Sequence, residues 1–332
     1  LQEVQRSLGT RFRLIKKLGQ GGMGAVYSAK VEEASERLPA GAIVAVKVLN
    51  KDVGGDDVTR FENEAKVALQ IDHDSIIRVL DYKISESINY ICMEYVEGES
   101  VRDIIRAKKF LPEPEVIKIT RAVCDGLQRA HAIGVIHRDI KPDNIMISKT
   151  GQVKIADFGI AKHVDSKSEV TQAGFLVGTP HYMSPEQCSG KADYKVTTQA
   201  DVYALGATVY FMATGQRPFE GDTQHAIVLQ HVSKPPVAPR EVNDKVSEGL
   251  SNVVLNMMAK KPPRRYASVA EVLAELDRVQ KGQTPKKRRG VDTPLEEASA
   301  GKTYGIAAAA AVFLLVFGVF GYWYSGQAER DR

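Results

Sequence analysis

Val44, Val46 and Val48 alternate with Ala45, Lys47 and Leu49, a period of two that predicts a strand with one apolar face and a single cation on the other. Phe12 to Lys17 and Ile88 to Tyr95 read as further strands. Ahead of the last of these, Phe61, Ala65, Ala68 and Leu69 form the apolar stripe of a helix over 56–70. Later the period changes. Val116, Ile119, Val123, Leu127 and Ala130 recur at helical spacing and predict a long helix, with His131 near its end as a surface or helix-terminal residue. Val202 to Gly215 carries no charge over fourteen residues, too few to span a bilayer at about 1.5 Å of rise each. It predicts a buried central helix with Asp201 as its N-cap. Ser268 and Glu271 are spaced as a capping box ahead of Val269, Val272, Leu273, Leu276 and Val279, a helix that closes the globular part near residue 280.

One stretch departs from both periods. Val135 to Gly159 holds two short apolar strands around the turn Lys149-Thr150-Gly151, each beside a carboxylate on irregular backbone. Asp139, Asn144 and Asp157 are therefore expected to converge at the mouth of a hairpin. Such hard oxygen donors suit Mg²⁺. Upstream, Leu18-Gly19-Gln20-Gly21-Gly22-Met23-Gly24-Ala25-Val26 contains a G-x-G-x-x-G. A dinucleotide fingerprint would open a helix and place an acid about twenty residues on. Here Ala25 to Ala29 looks extended and Lys47 follows, so the motif reads as a Gly-rich hairpin whose backbone N–H groups approach phosphates. Lys47 shares its face with small Ala45, which leaves room for a flat base beside a charge.

His137-Arg138-Asp139, with Asn144 five positions after the Asp and Asp157-Phe158-Gly159 beyond, resembles the catalytic loop and magnesium motif of protein kinases. The resemblance covers residues 11–278. Gly178 to Glu186, reading Gly-Thr-Pro-His-Tyr-Met-Ser-Pro-Glu, is similar to the end of the activation segment of bacterial, eukaryotic-like transmembrane serine/threonine kinases, with Ser184 in place of the more usual Ala. The resemblance implies an α+β, bilobal protein-kinase fold, a β-rich N-lobe over 11–95 and a helical C-lobe over 99–278, enclosing ATP and Mg²⁺ or Mn²⁺. It implies that Lys47 holds the α- and β-phosphates and that Glu64 pairs with Lys47, Glu62 being solvated. Leu18 to Val26, with Ala45, would cover the nucleotide, and hinge backbone from Glu94 to Val96 would bond adenine, with Met93 behind it. By the same resemblance Asp139 accepts the proton of a substrate hydroxyl, Lys141 neutralises charge on the moving phosphoryl, and Asn144 and Asp157 hold the metal. His137 anchors the loop, Asp201 braces it, and Glu186 pairs with Arg265. Lys141 with Thr179 matches the Ser/Thr class, Thr179 lying where the substrate docks. Thr171 first, then Ser166 and Ser168, are expected autophosphorylation sites, since a phosphate there could pair with Arg138; a homodimer would allow the transfer in trans.

Composition narrows the setting. The chain has 332 residues, 43% of them apolar and 26% charged, with a net charge of +4. Much of the excess sits in Lys286-Lys287-Arg288-Arg289, so no general nucleic-acid surface is expected. Three cysteines, Cys92, Cys124 and Cys188, lack metal-ligand spacing and fit a reducing compartment. The chain opens on Leu1 rather than Met, so a fragment of a longer protein is expected. Residues 1–10 read as an extension, 279–304 as a flexible basic juxtamembrane linker, 305–324 as a transmembrane helix and 325–332 as a short extracytoplasmic tail. Gly305 to Tyr324 is twenty residues without a charge, ending in Tyr322-Trp323-Tyr324, a composition that suits a span with an aromatic belt. The basic residues ahead of it place the kinase domain in the cytoplasm of a single-pass cell-membrane protein, and the basic run could rest on anionic lipid headgroups.

Two rival functions fit less well. A nucleotide-binding scaffold tends to lose the strand Lys or one of the two carboxylates, and Lys47, Asp139 and Asp157 are all present. A small-molecule phosphotransferase would not need the peptide-docking run from Gly178 to Glu186.

Overall fold

The computed structural model describes residues 2–21, 24–50, 55–157, 180–189, 194–288 and 290–292. In the first lobe, α1 (Gln2–Leu8) leads into β1 (Phe12–Gln20), β2 (Gly24–Val31), β3 (Ile43–Leu49), β4 (Val79–Lys83) and β5 (Tyr90–Glu94), with α2 (Gly55–Ala68) between β3 and β4. The strands form one antiparallel sheet ordered β1-β2-β3-β5-β4. The alternation in β3 decides what each face meets. Val44, Val46 and Val48 join Phe12, Tyr27 and Tyr90 in one cluster, whereas Leu49 and Ile91 meet Phe61 and Ala65 of α2 on the other side.

The second lobe begins with β6 (Gly98–Ser100), α3 (Val101–Lys108) and α4 (Glu113–Ala132), followed by β7 (Ile145–Ser148) and β8 (Val153–Ile155). Then come α5 (Pro185–Ser189), α6 (Thr198–Thr214), α7 (Gln224–Ser233), α8 (Pro239–Val242), α9 (Glu248–Met257) and α10 (Val269–Gln280). Its core gathers Val123 and Leu127 of α4, Leu205 and Val209 of α6, Val254 of α9, Leu276 of α10 and Ile155 of β8. α6 is apolar nearly all round because it is enclosed on every side. It stops at Gly215, whose φ of +73° suits glycine and whose absent side chain leaves room for the carbonyl of Lys109.

Two sequence expectations need correction. Asp201 is not the N-cap of α6. Thr197, in extended conformation, caps it by accepting from the Gln199 N–H, and the helix begins four residues earlier than the apolar run. Asp201 lies in the first turn with its carboxylate committed elsewhere. Nor is the chain after α10 a free linker over its first part. The side-chain amides of Asn252 and Asn256 donate to the carbonyls of Pro285 and Lys286. Arg288 donates its N–H to Asn256 Oδ1, pairs with Glu271, and lies 4.4 Å over the Tyr266 ring. Val291 is buried against Leu255 and Ala259. Among the described residues no helix is long and apolar enough to cross a membrane; the span expected at 305–324 lies outside them, as does the tail at 325–332.

Candidate active site

The cleft between the lobes is built from edges whose register is fixed by packing. Val26 pairs with Lys47 and Ala45 with Met93, so these four share the face turned away from the valine cluster. Ala25 does not share it: paired with Val48, it is buried in the outer cluster, and only its backbone could face a ligand there. Gly24 lies under the Val48 carbonyl, where any Cβ would stand 2.0 Å from the oxygen. Its own carbonyl accepts from the Gly21 N–H at 2.8 Å, closing the Gly-rich turn. Leu18 is 41% exposed on the outgoing strand that carries Gly19 and Gln20. Gly22 and Met23 lie outside the described residues, as do the side chain of Glu64 and the segment 158–179 with Ser166, Ser168, Thr171 and Thr179.

Lys47 Nζ stands 2.9 Å from Asp157 Oδ1, so a strand of the first lobe and the chain just after β8 meet directly. The ammonium beside it is the main cause that holds the Asp157 carboxyl below its ordinary range. Asp157 has φ +51° and Arg138 φ +66°, two non-glycine residues in left-handed conformation within one site, a strain that only firm surroundings hold.

Asp201 is one source of that firmness. Fully buried, it accepts from the N–H groups of His137 and Arg138 at 2.8 and 2.7 Å, and lies 2.8 Å from His131 Nε2. His131, expected as a surface or helix-terminal residue, lies in the last turn of α4 and is also part of the brace. His137 Nδ1 accepts from the Asp139 N–H at 3.2 Å, which places the ring proton on Nε2, 3.0 Å from the Ala156 carbonyl it donates to. Burial pushes the pKa of His137 down, in keeping with a neutral ring. Ala156 N–H in turn donates to the Asn144 carbonyl at 2.8 Å, so one imidazole ties the loop before β7 to the chain entering Asp157.

Lys141 Nζ lies 2.6 Å from Asp139 Oδ2, and Asn144 Nδ2 donates to the same oxygen at 3.1 Å and to the Asp139 carbonyl at 2.9 Å. The Asn144 amide nitrogen is therefore turned inward. Its carboxamide oxygen, with the 45% exposed carboxylate of Asp157, offers a hard two-oxygen set that suits Mg²⁺ completed by water and phosphate oxygens. Among the described residues no group of three or more His, Cys, Asp or Glu is placed to hold a metal.

At the hinge the Glu94 N–H is donated to the Arg78 carbonyl at 2.9 Å, which removes that amide from any ligand. Met93 and Val96 are half-buried. The Glu94 carboxylate meets Lys154 Nζ at 2.8 and 2.9 Å, a contact the sequence did not announce. Below the site, Arg265 pairs with Glu186 through two 2.7 Å bonds, both side chains being buried. Gln187 Nε2 donates to the Arg138 carbonyl at 2.9 Å, and its amide oxygen takes up the Ser184 N–H and hydroxyl. Gln187 too escaped sequence reasoning, since only its place after Glu186 hints at a role.

The protein kinase domain family matches residues 12–275. Serine/threonine-protein kinase PknB of Mycobacterium leprae is 40% identical over 84% of this chain and 44% of that protein. PknB of Mycolicibacterium smegmatis is 41% identical over the same shares. The chain thus spans less than half the length of these relatives. Among solved structures, Rad53 residues 1–466 in complex with AMP-PNP matches with a TM-score of 0.65 and 26% identity over 80% of this chain and 64% of that one.

Proposed function

Since the chain belongs to the protein kinase family, we propose that it transfers the γ-phosphoryl group of Mg-ATP to Ser and Thr hydroxyls of protein substrates. The observation that carries this reading is the meeting of Lys47 with Asp157 across the cleft, beside Asp139, Lys141 and Asn144. Phosphoryl transfer asks for positioning and charge neutralisation more than covalent chemistry. Lys141 and Asn144 aim the Asp139 carboxylate; as the substrate hydroxyl oxygen bonds to the γ-phosphorus and the bond to the β-phosphate oxygen breaks, the hydroxyl proton passes to Asp139 and ADP leaves. Lys47 holds the phosphates from above. A divalent metal held by Asn144 and Asp157 would neutralise charge on the phosphate oxygens.

The finer reading is of a membrane-anchored enzyme, its kinase domain cytoplasmic, that autophosphorylates Thr171 ahead of Ser166 and Ser168, in trans within a homodimer. The uncharged run from Gly305 to Tyr324 and the loop hydroxyls support it.

Incubation with labelled ATP, Mg²⁺ and a generic basic protein, beside Asp139→Asn, tests the core reading. Label on Ser or Thr that vanishes in Asp139→Asn is expected. A purified chain that binds nucleotide yet transfers nothing after phosphorylation by an active kinase would instead favour a scaffold.

A further inference from the structure

β8 alternates in the same way as β3. Val153 and Ile155 are buried in the core of the second lobe, which turns Lys154 to the opposite face, beside Met146 of β7. Lys154 is nevertheless only 4% exposed. It reaches the end of β5 and takes both carboxylate oxygens of Glu94 at 2.8 and 2.9 Å. Glu94 has a second cation, Arg78, but at 3.8 Å and on a side chain that is 55% exposed.

The place of this pair matters more than its strength. Glu94 is the last residue of the first-lobe sheet, and Gly98, four positions on, already belongs to the second-lobe sheet, paired with Ser148. Between them the Glu97 carbonyl accepts from the Lys149 N–H at 2.8 Å. The hinge is thus pinned at its far end by backbone and at its near end by the Lys154 side chain. Lys154 also stands three residues before Asp157, about 10 Å of extended chain.

We propose that Lys154 is a positioning residue for the nucleotide: by holding Glu94 it fixes the hinge, which meets the base, relative to Asp157, which would hold the metal that meets the phosphates. This rests on the kinase reading above. A ligand that must reach both ends gains from their fixed spacing, because gripping the first end raises the effective concentration of the second. A ligand that touches only the hinge gains nothing from it.

The test compares Mg-ATP with adenosine by calorimetric titration of the wild-type chain, Lys154→Met, Lys154→Arg and Glu94→Gln. Lys154→Met is expected to weaken Mg-ATP binding about tenfold and adenosine less than about twofold. KM for ATP should rise in parallel, with kcat changed less than KM, and Lys154→Arg should recover most of the Mg-ATP affinity. Glu94→Gln, which keeps the side-chain volume, should repeat the pattern and stands in where Lys154→Met does not fold. Equal losses for both ligands, or none, overturn the proposal while leaving the kinase reading intact. A folded wild-type chain that binds no Mg-ATP overturns both.

Discussion

Lys47 Nζ and Asp157 Oδ1, 110 residues apart in sequence, stand 2.9 Å from each other across the cleft. One comes from a strand whose valines are buried on its far face, the other from the residue after the Ala156 that His137 holds. Each is delivered by packing that has nothing to do with phosphate. The two opposite charges satisfy one another; a nucleotide phosphate is a further partner for the Lys47 ammonium alone, and the Asp157 carboxylate, an anion like the phosphate, would meet it through a divalent cation.

Asp201 governs the loop that carries Asp139. Asp201→Asn keeps one acceptor oxygen but points an N–H₂ group toward either the His137 or the Arg138 N–H, leaving a buried donor unmet. The expected cost is about 2–4 kcal/mol of stability. It should also lower kcat, since Arg138 would be released from its left-handed conformation. Urea unfolding and initial rates at saturating ATP check both.

Arg265→Ala would strand the buried Glu186 carboxylate, and breaking such a pair from one side costs about 3–5 kcal/mol. The double variant Glu186→Leu with Arg265→Met removes both charges and should regain most of that loss. A double variant no more stable than the single one would show that the pair is not the source of the effect.

Acidification should destabilise the fold. In the unfolded chain histidine takes up its proton near pH 6.5, whereas burial is the main cause that keeps His137 and His231 below that value in the folded state. Between the two values the unfolded state binds more protons, so stability rises with pH and is lost as pH falls. Urea unfolding at about pH 7.5 and 5.5 should show the loss, with a slope of at most about 1.4 kcal/mol per pH unit for each histidine. Stability that is flat or higher at the lower pH contradicts the assignment.

The segment after α10 behaves as part of the domain. Arg288→Ala removes the contacts to Glu271, Tyr266 and the Arg265 carbonyl together, at an expected cost of about 1–3 kcal/mol. Thermal melting and limited proteolysis are the checks, and a variant with unchanged stability and unchanged protection of residues 283–292 would return the segment to a linker.

What the sequence disclosed follows from what is local. Alternation put Lys47 beside Ala45, and the spacing of Ser268 and Glu271 marked the start of α10, where Ser268 Oγ accepts the Glu271 N–H. Pairing Glu186 with Arg265 was also legible, through resemblance. Lys154 with Glu94 was not, because two charges 60 positions apart meet only once the lobes have docked. The docking of residues 283–288 and 290–292 was hidden for another reason: besides the buried Pro285 and Val291 it rests on side-chain amides and one guanidinium, groups whose composition reads as solvated. Asp201 braces the expected loop from a different place in its helix, since Thr197 takes the cap.

The central claim is tested most directly by single-turnover transfer from Mg-ATP to a peptide, measured for the wild-type chain, Lys47→Met, Asp157→Asn and the double variant. Each single change should slow transfer by about 100-fold or more, the scale of losing one preorganised charge at the transition state. The double variant should be little worse than either, as residues acting as a unit are. Transfer at the wild-type rate in either single variant would contradict the account.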